Sequence, residues 1–108
     1  MQRNSDVSRS ATLPARVALH ARPAGKFVSE ANRFRAEISV AANDRHADAK
    51  SILEVLSLGA TGGTELHLTA SGEDAVDAVT HLVAVVAELA WSEQTGGDAE
   101  HLVDRRSG

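Results

Sequence analysis

The chain has 108 residues, a net charge of −4 and no cysteine, which suffices for one domain around a single modest core. Without cysteine, a disulfide framework and a thiolate metal site are excluded, and the composition suits a reducing cytoplasm. The acidic balance and the sparse aromatics, Phe27, Phe34 and Trp91, supply neither the basic footprint nor the stacking platforms of a nucleic-acid binder.

Other classes are excluded along the way. The longest wholly apolar run, Leu82 to Ala87, is far short of a membrane span, so no membrane insertion is expected. No apolar signal region follows Met1-Gln2-Arg3-Asn4-Ser5-Asp6, so export is not expected either. A core of Ala, Val, Leu and Ile leaves little room to enclose an organic cofactor, and none is expected. Function is sought on the surface.

Residues 1–6 are polar and read as a disordered extension. Val7, Arg9, Ala11 and Leu13 alternate as a weak strand that Pro14 ends. A short loop over 14–19 then delivers His20. Ala24, Phe27, Val28 and Ala31 recur at steps of three and four, so a helix is predicted from about Ala21 to Asn32. Ile38 and Val40 face inward on the next strand, from Ala36 to Ala41. Asn43-Asp44 then signals a hairpin into a polar edge strand over Arg45–Ala49, with Ala47 and Ala49 inward.

Ser51 and Glu54 form a capping box and Gly59 a helix stop, which define a short helix between them. Gly62-Gly63 turns the chain into a strand over Thr64–Ala70 with Leu66 and Leu68 inward. Ser71-Gly72-Glu73-Asp74 opens the last helix, its acids placed as the helix dipole prefers, with a buried stripe of Ala75, Val79, Leu82, Val83, Val86 and Leu89. From Trp91 the composition, Ser92-Glu93-Gln94-Thr95-Gly96-Gly97-Asp98, predicts a flexible tail over 91–108. The domain thus spans 7–90. One sheet face covered by three helices, an α+β two-layer domain, is the simplest burial solution.

The chemistry concentrates at Leu19-His20-Ala21-Arg22-Pro23-Ala24. Pro23 fits only a first turn, where its missing N–H leaves nothing unbonded. That places His20 at the N-cap, beside outward-pointing amides and the positive end of the helix dipole. Such a helix start binds anions, and Arg22 adds a permanent cation suited to phosphate. An imidazole is a competent nucleophile at neutral pH, so His20 could carry a phosphoryl group stabilised in place. Taken alone, the motif also fits an ordinary surface histidine. Ser51 as an N-cap needs no further purpose, being worth about 1 kcal/mol. His46, His67, His81 and His101 read as solvated residues without metal-ligand spacing. Arg33, Arg35 and Arg45 read as surface charges.

With His20 and Ser51 placed, the chain resembles the HPr family, the histidine-containing phosphocarriers of the sugar phosphotransferase system. His20-Ala21-Arg22-Pro23-Ala24 is similar to the family's active-site motif. Lys50-Ser51-Ile52-Leu53 through Leu56-Ser57-Leu58-Gly59 is similar to its regulatory-serine helix, at the family's spacing from the histidine. Gly62-Gly63-Thr64, Ser71-Gly72-Glu73-Asp74 and Ala78-Val79-Thr80-His81-Leu82-Val83 extend the similarity over roughly residues 8–90. The resemblance implies an open-faced β-sandwich, a four-stranded antiparallel sheet in the order 1-4-2-3 with three helices on one face.

It also implies a role for a carrier that is not an enzyme. His20 would accept a phosphoryl group, at Nδ1, from phosphorylated enzyme I and pass it to the A-component of a sugar-specific enzyme II, with Arg22 stabilising the phosphate and Pro23 starting the helix. Ser51 would be a target for HPr kinase/phosphorylase. Ala24, Lys26, Ile52 and Leu53 would form the docking surface of a monomer.

Three departures bear on partners. Ala18 stands where the family usually has glycine, and Ser29 and Asn32 stand where the first helix usually carries cations; Glu54 makes the docking helix more acidic. They keep a regulatory alternative open, an HPr-like protein of a nitrogen-type or dihydroxyacetone-kinase-type system whose phosphorylation state signals to a partner. A plain interaction module with an inert His20 would explain neither Arg22 nor the Ser51 spacing.

Overall fold

The computed structural model describes residues 6–102, with side-chain environments through Leu89. The elements follow in the order β1 (Asp6–Thr12), α1 (Ala21–Ala31), β2 (Glu37–Ala42), β3 (Arg45–Asp48), α2 (Ile52–Ser57), β4 (Glu65–Ser71) and α3 (Ala75–Leu102). All strand pairs are antiparallel and the sheet order is β1-β4-β2-β3, the open-faced arrangement that the resemblance implies.

Alternation in each strand sorts residues between the two faces. Leu68 of β4 pairs with Arg9 on one side and Val40 on the other, and Val40 pairs with Ala47. Leu66, Leu68, Val40, Ile38 and Ala47 are buried beneath the helices. One register position away, Ser8, Thr69, Ser39 and Asp48 form a row across all four strands. Hydroxyl and carboxylate groups there need no cover, so the opposite face stays open. Asn43 and Asp44 both take positive φ, 53° and 64°, as the two central residues of a tight hairpin require.

The helices supply the other half of the core. Ala24, Phe27 and Ala31 of α1 are buried, as are Ala75, Ala78, Val79, Leu82, Val85, Val86 and Leu89 of α3. Val83, expected inside, is only partly buried, while Ala78 and Val85 are fully inside. A helix lying across a sheet buries a face wider than a narrow stripe, and these two residues, seven apart, widen it. Gly59, with φ 62°, follows α2 as the expected stop.

The flexible tail expected from Trp91 is a difference at the backbone level. α3 continues as helix through Leu102, and residues 103–108 lie outside the described residues. The make-up of Ser92 to Asp98 suggested such a tail, but its two glycines each only weaken a helix by about 1 kcal/mol relative to alanine. Proline, which would stop it, occurs only at Pro14 and Pro23. The expected extension over 1–6 lies outside the described residues except for Asp6, which already belongs to β1.

Candidate functional site

The loop before α1 is pinned by its own apolar residues. Leu13, Val17 and Leu19 are buried, while Val17 N–H donates to Pro14 O at 3.0 Å and His20 N–H to Ala18 O at 2.9 Å. Leu19 N–H donates to Ala60 O at 2.9 Å, tying the loop to the segment beyond α2. Among the described residues that carry a side chain, only Asn43 and Asp44 have positive φ. Ala18 therefore fits its loop without the left-handed strain that glycine would relieve.

His20 is the N-cap of α1, with extended backbone (φ −100°, ψ −167°) and no side-chain capping bond. Its carbonyl accepts Ala24 N–H at 2.9 Å, the bond that closes the first turn. The amides ahead of Ala24 emerge at the helix end, and buried Pro23 has none to offer. The imidazole is exposed, and so is Arg22. No acid occupies the first turn, so the helix supplies no carboxylate of its own at the positive end of its dipole. A cation there does not help the helix itself, but it does suit an incoming anion.

The remaining expected residues fall into two groups. Leu53 is 77 % exposed and Ile52 37 %, while Val55 of the same helix is buried; α2 therefore presents an apolar pair outward. Lys26 is exposed. Ala24 does not belong with them: it is fully buried, because it shares the inner stripe of α1 with Phe27 and Ala31, so its expected docking role is withdrawn.

Ser51 is the N-cap of α2, its Oγ accepting Glu54 N–H at 3.3 Å. The reciprocal arm of the expected capping box is missing. Ser51 N–H already donates to Asp48 O at 3.0 Å, so the Glu54 carboxylate turns to Asp48 N–H at 2.8 Å.

Two polar clusters escaped the sequence. His81, expected to be solvated, is half-buried: its Nε2 lies 2.6 Å from Glu30 Oε1 and its ring packs on Phe34 at 5.5 Å between centroids. The hydrogen bond from His81, then that from Arg33, holds the Glu30 carboxyl below its usual pKa. Asp74 accepts the backbone N–H groups of Arg35 and Ala36 at 2.9 and 2.8 Å, which likewise lower its pKa. His67 lies 3.1 Å from Ser10 Oγ on the open face, and His101 is outside the described side chains. Among the described residues, no three His, Asp or Glu side chains converge on a metal position, and no helix is long and apolar enough to cross a membrane.

Comparison with known proteins covers most of the described domain. The family described as "PTS HPr component phosphorylation site" matches residues 7–88. The phosphocarrier protein HPr of Haemophilus influenzae is 43 % identical over 82 residues, covering 76 % of this chain and 96 % of that protein. HPr of Vibrio cholerae is 45 % identical over 71 residues, covering 66 % of this chain and 84 % of that protein. The crystal structure of HPr from Bacillus anthracis superposes with a TM-score of 0.72 at 36 % identity, over 76 % of this chain and 98 % of that one. Sheet order, helix placement and sequence agree, and the chain belongs to the HPr family, the phosphocarriers of the phosphotransferase system.

Proposed function

We propose that His20 is the group through which this phosphocarrier works, forming a covalent phosphohistidine. The observation that carries the reading is an exposed imidazole at the N-cap of α1, making no capping bond, with Arg22 in the same first turn. A ring nitrogen of His20 attacks the phosphorus carried by phosphorylated enzyme I. The N–P bond forms as the bond to the donor breaks, and the donor keeps that electron pair. The step reverses in direction when the A-component of an enzyme II accepts the group.

A carrier must hold its cargo loosely. The helix end contributes roughly 0.3–1 kcal/mol, about 2 when partly buried, and a charge-assisted bond from Arg22 about 1.5–3 kcal/mol. These are small enough to keep onward donation open. Ile52 and Leu53 of α2 provide the apolar surface on which both partners dock, and the exposed Lys26 of α1 adds a cation to it. Phosphorylation of Ser51 would add about −1.5 to −2 charges beside Glu54, opposing acidic partners.

The regulatory reading draws on Ser29 of α1 and Asn32, its C-cap, both exposed, which leave the outer surface short of the cations expected there. Both readings share one test. The protein is incubated with phosphoenolpyruvate and enzyme I and weighed before and after acid treatment. One acid-labile phosphate, absent in His20→Ala, is the expected result; equal labelling of His20→Ala overturns it. Onward transfer to an A-component separates transport from signalling.

A further inference from the structure

We infer that Gly62 is a positioning residue for His20, acting through the turn over residues 61–64; the inference rests on His20 being the phosphoryl acceptor. Because His20 makes no side-chain capping bond, its place is set by the backbone that delivers it. That backbone is held at both ends by one short segment. Leu13 N–H donates to Thr64 O and Gly63 N–H to Leu13 O, each at 2.9 Å, while Leu19 N–H donates to Ala60 O at 2.9 Å.

Between these anchors Gly62 lies directly against the loop. A Cβ built on it would stand 2.0 Å from Ala15 O, 2.5 Å from Ala15 C and 3.0 Å from Pro14 O. All are backbone atoms, so none can swing aside as a side-chain tip would. The absence of a side chain at 62 is what allows the two chain segments to touch. The turn keeps its shape by Thr64 N–H donating to Thr61 O at 2.9 Å and Thr61 N–H donating to Thr64 Oγ1 at 3.2 Å.

A methyl group at 62 must push the Ala15 segment back by more than about 1 Å before ordinary van der Waals contact is reached. The displacement passes along the short loop to Leu19 and His20. Phosphoryl transfer depends on in-line geometry, and a misplacement of about 1 Å can cost up to about 100-fold. Docking through Ile52 and Leu53 is on another element, so the loss falls on kcat and leaves KM.

The test compares Gly62→Ala, Thr64→Val and Asp74→Ala with the wild type as substrates of enzyme I, alongside the NMR signals of the His20 ring. Asp74 holds the Arg35 and Ala36 amides between α1 and β2, so its variant loses stability without touching the loop. Gly62→Ala should lower kcat on the order of ten- to a hundred-fold at unchanged KM, with the His20 signals displaced. Thr64→Val, which adds no atoms to the contact, should show the same signature more weakly, and Asp74→Ala should show neither.

A folded Gly62→Ala with wild-type kcat and unmoved His20 signals overturns the inference, as does an equal kcat loss in Asp74→Ala. Should Gly62→Ala fail to fold, Thr64→Val decides by the same two readouts. If the wild type itself takes no phosphate on His20, the carrier role of that residue falls; the ring signals of the variants still report whether the turn positions it.

Discussion

The His20 side chain makes no hydrogen bond to the helix it caps, so removing it takes away no structural contact there. His20→Ala should shift the unfolding free energy by less than about 0.5 kcal/mol, the usual range for surface substitutions, while abolishing the acid-labile phosphate. A denaturant titration beside the mass measurement checks both halves. Arg22→Ala should slow phosphorylation by roughly ten- to a hundred-fold if the guanidinium holds the phosphate through a charge-assisted bond of about 1.5–3 kcal/mol. Arg22→Lys keeps the charge but loses the planar fork, so its rate should fall between the two. At this scale His20 was legible because Pro23 confines the helix start to one place. Ala24 was misread because a small residue next to the motif can face either way, and only the packing of Phe27 and Ala31 decides. The partner of Glu54 was illegible: the capping pattern names Ser51, but the carboxylate bonds the Asp48 amide.

Helices and strands were largely legible one at a time, from period and punctuation; the bonds between them were not. Asp74 reads in the sequence as an acid at a helix start, yet its carboxylate spans 39 residues to the Arg35 amide. Glu30 and His81 lie 51 residues apart and join α1 to α3. Neither pair has a local signature, and both follow from tertiary placement alone. They imply a pH response whose sign is fixed. Both carboxyls are lowered in the folded protein, so folding favours their ionised forms. That stability is present in full above the unfolded values, about 4.3 for Glu and 3.9 for Asp. It drains away as pH falls through the lower folded values. Denaturant midpoints should therefore hold near neutrality and decline from about pH 5 downward. Glu30→Gln and Asp74→Asn should each start lower at pH 7 and decline less steeply; parallel curves for variant and wild type would contradict the assignment. Ser51→Ala, which removes the side-chain cap on the short α2, should cost about 1 kcal/mol at any of these pH values.

For the whole molecule, alternation told which residues of each strand face inward but not which strands are neighbours. The order β1-β4-β2-β3 came from resemblance, since parity is satisfied by other orders too. Its physical consequence is that β4, last of the strands in sequence, is central, and that Leu68 sits between β1 and β2 with no exposed surface. The proposed site lies elsewhere, on an exposed helix end tied to the 60–64 segment just ahead of β4. Core and site should then separate experimentally. Leu68→Ala leaves a cavity in the core and should lower the unfolding free energy by about 2–5 kcal/mol, read from the denaturant midpoint. At a temperature where the variant remains folded, its rate of phosphorylation by enzyme I should match the wild type, because no bond that places Leu19 or His20 involves the Leu68 side chain. A folded Leu68→Ala that accepts phosphate slowly would show instead that the sheet interior sets the loop, and that the backbone bonds to Ala60 and Thr64 merely follow it.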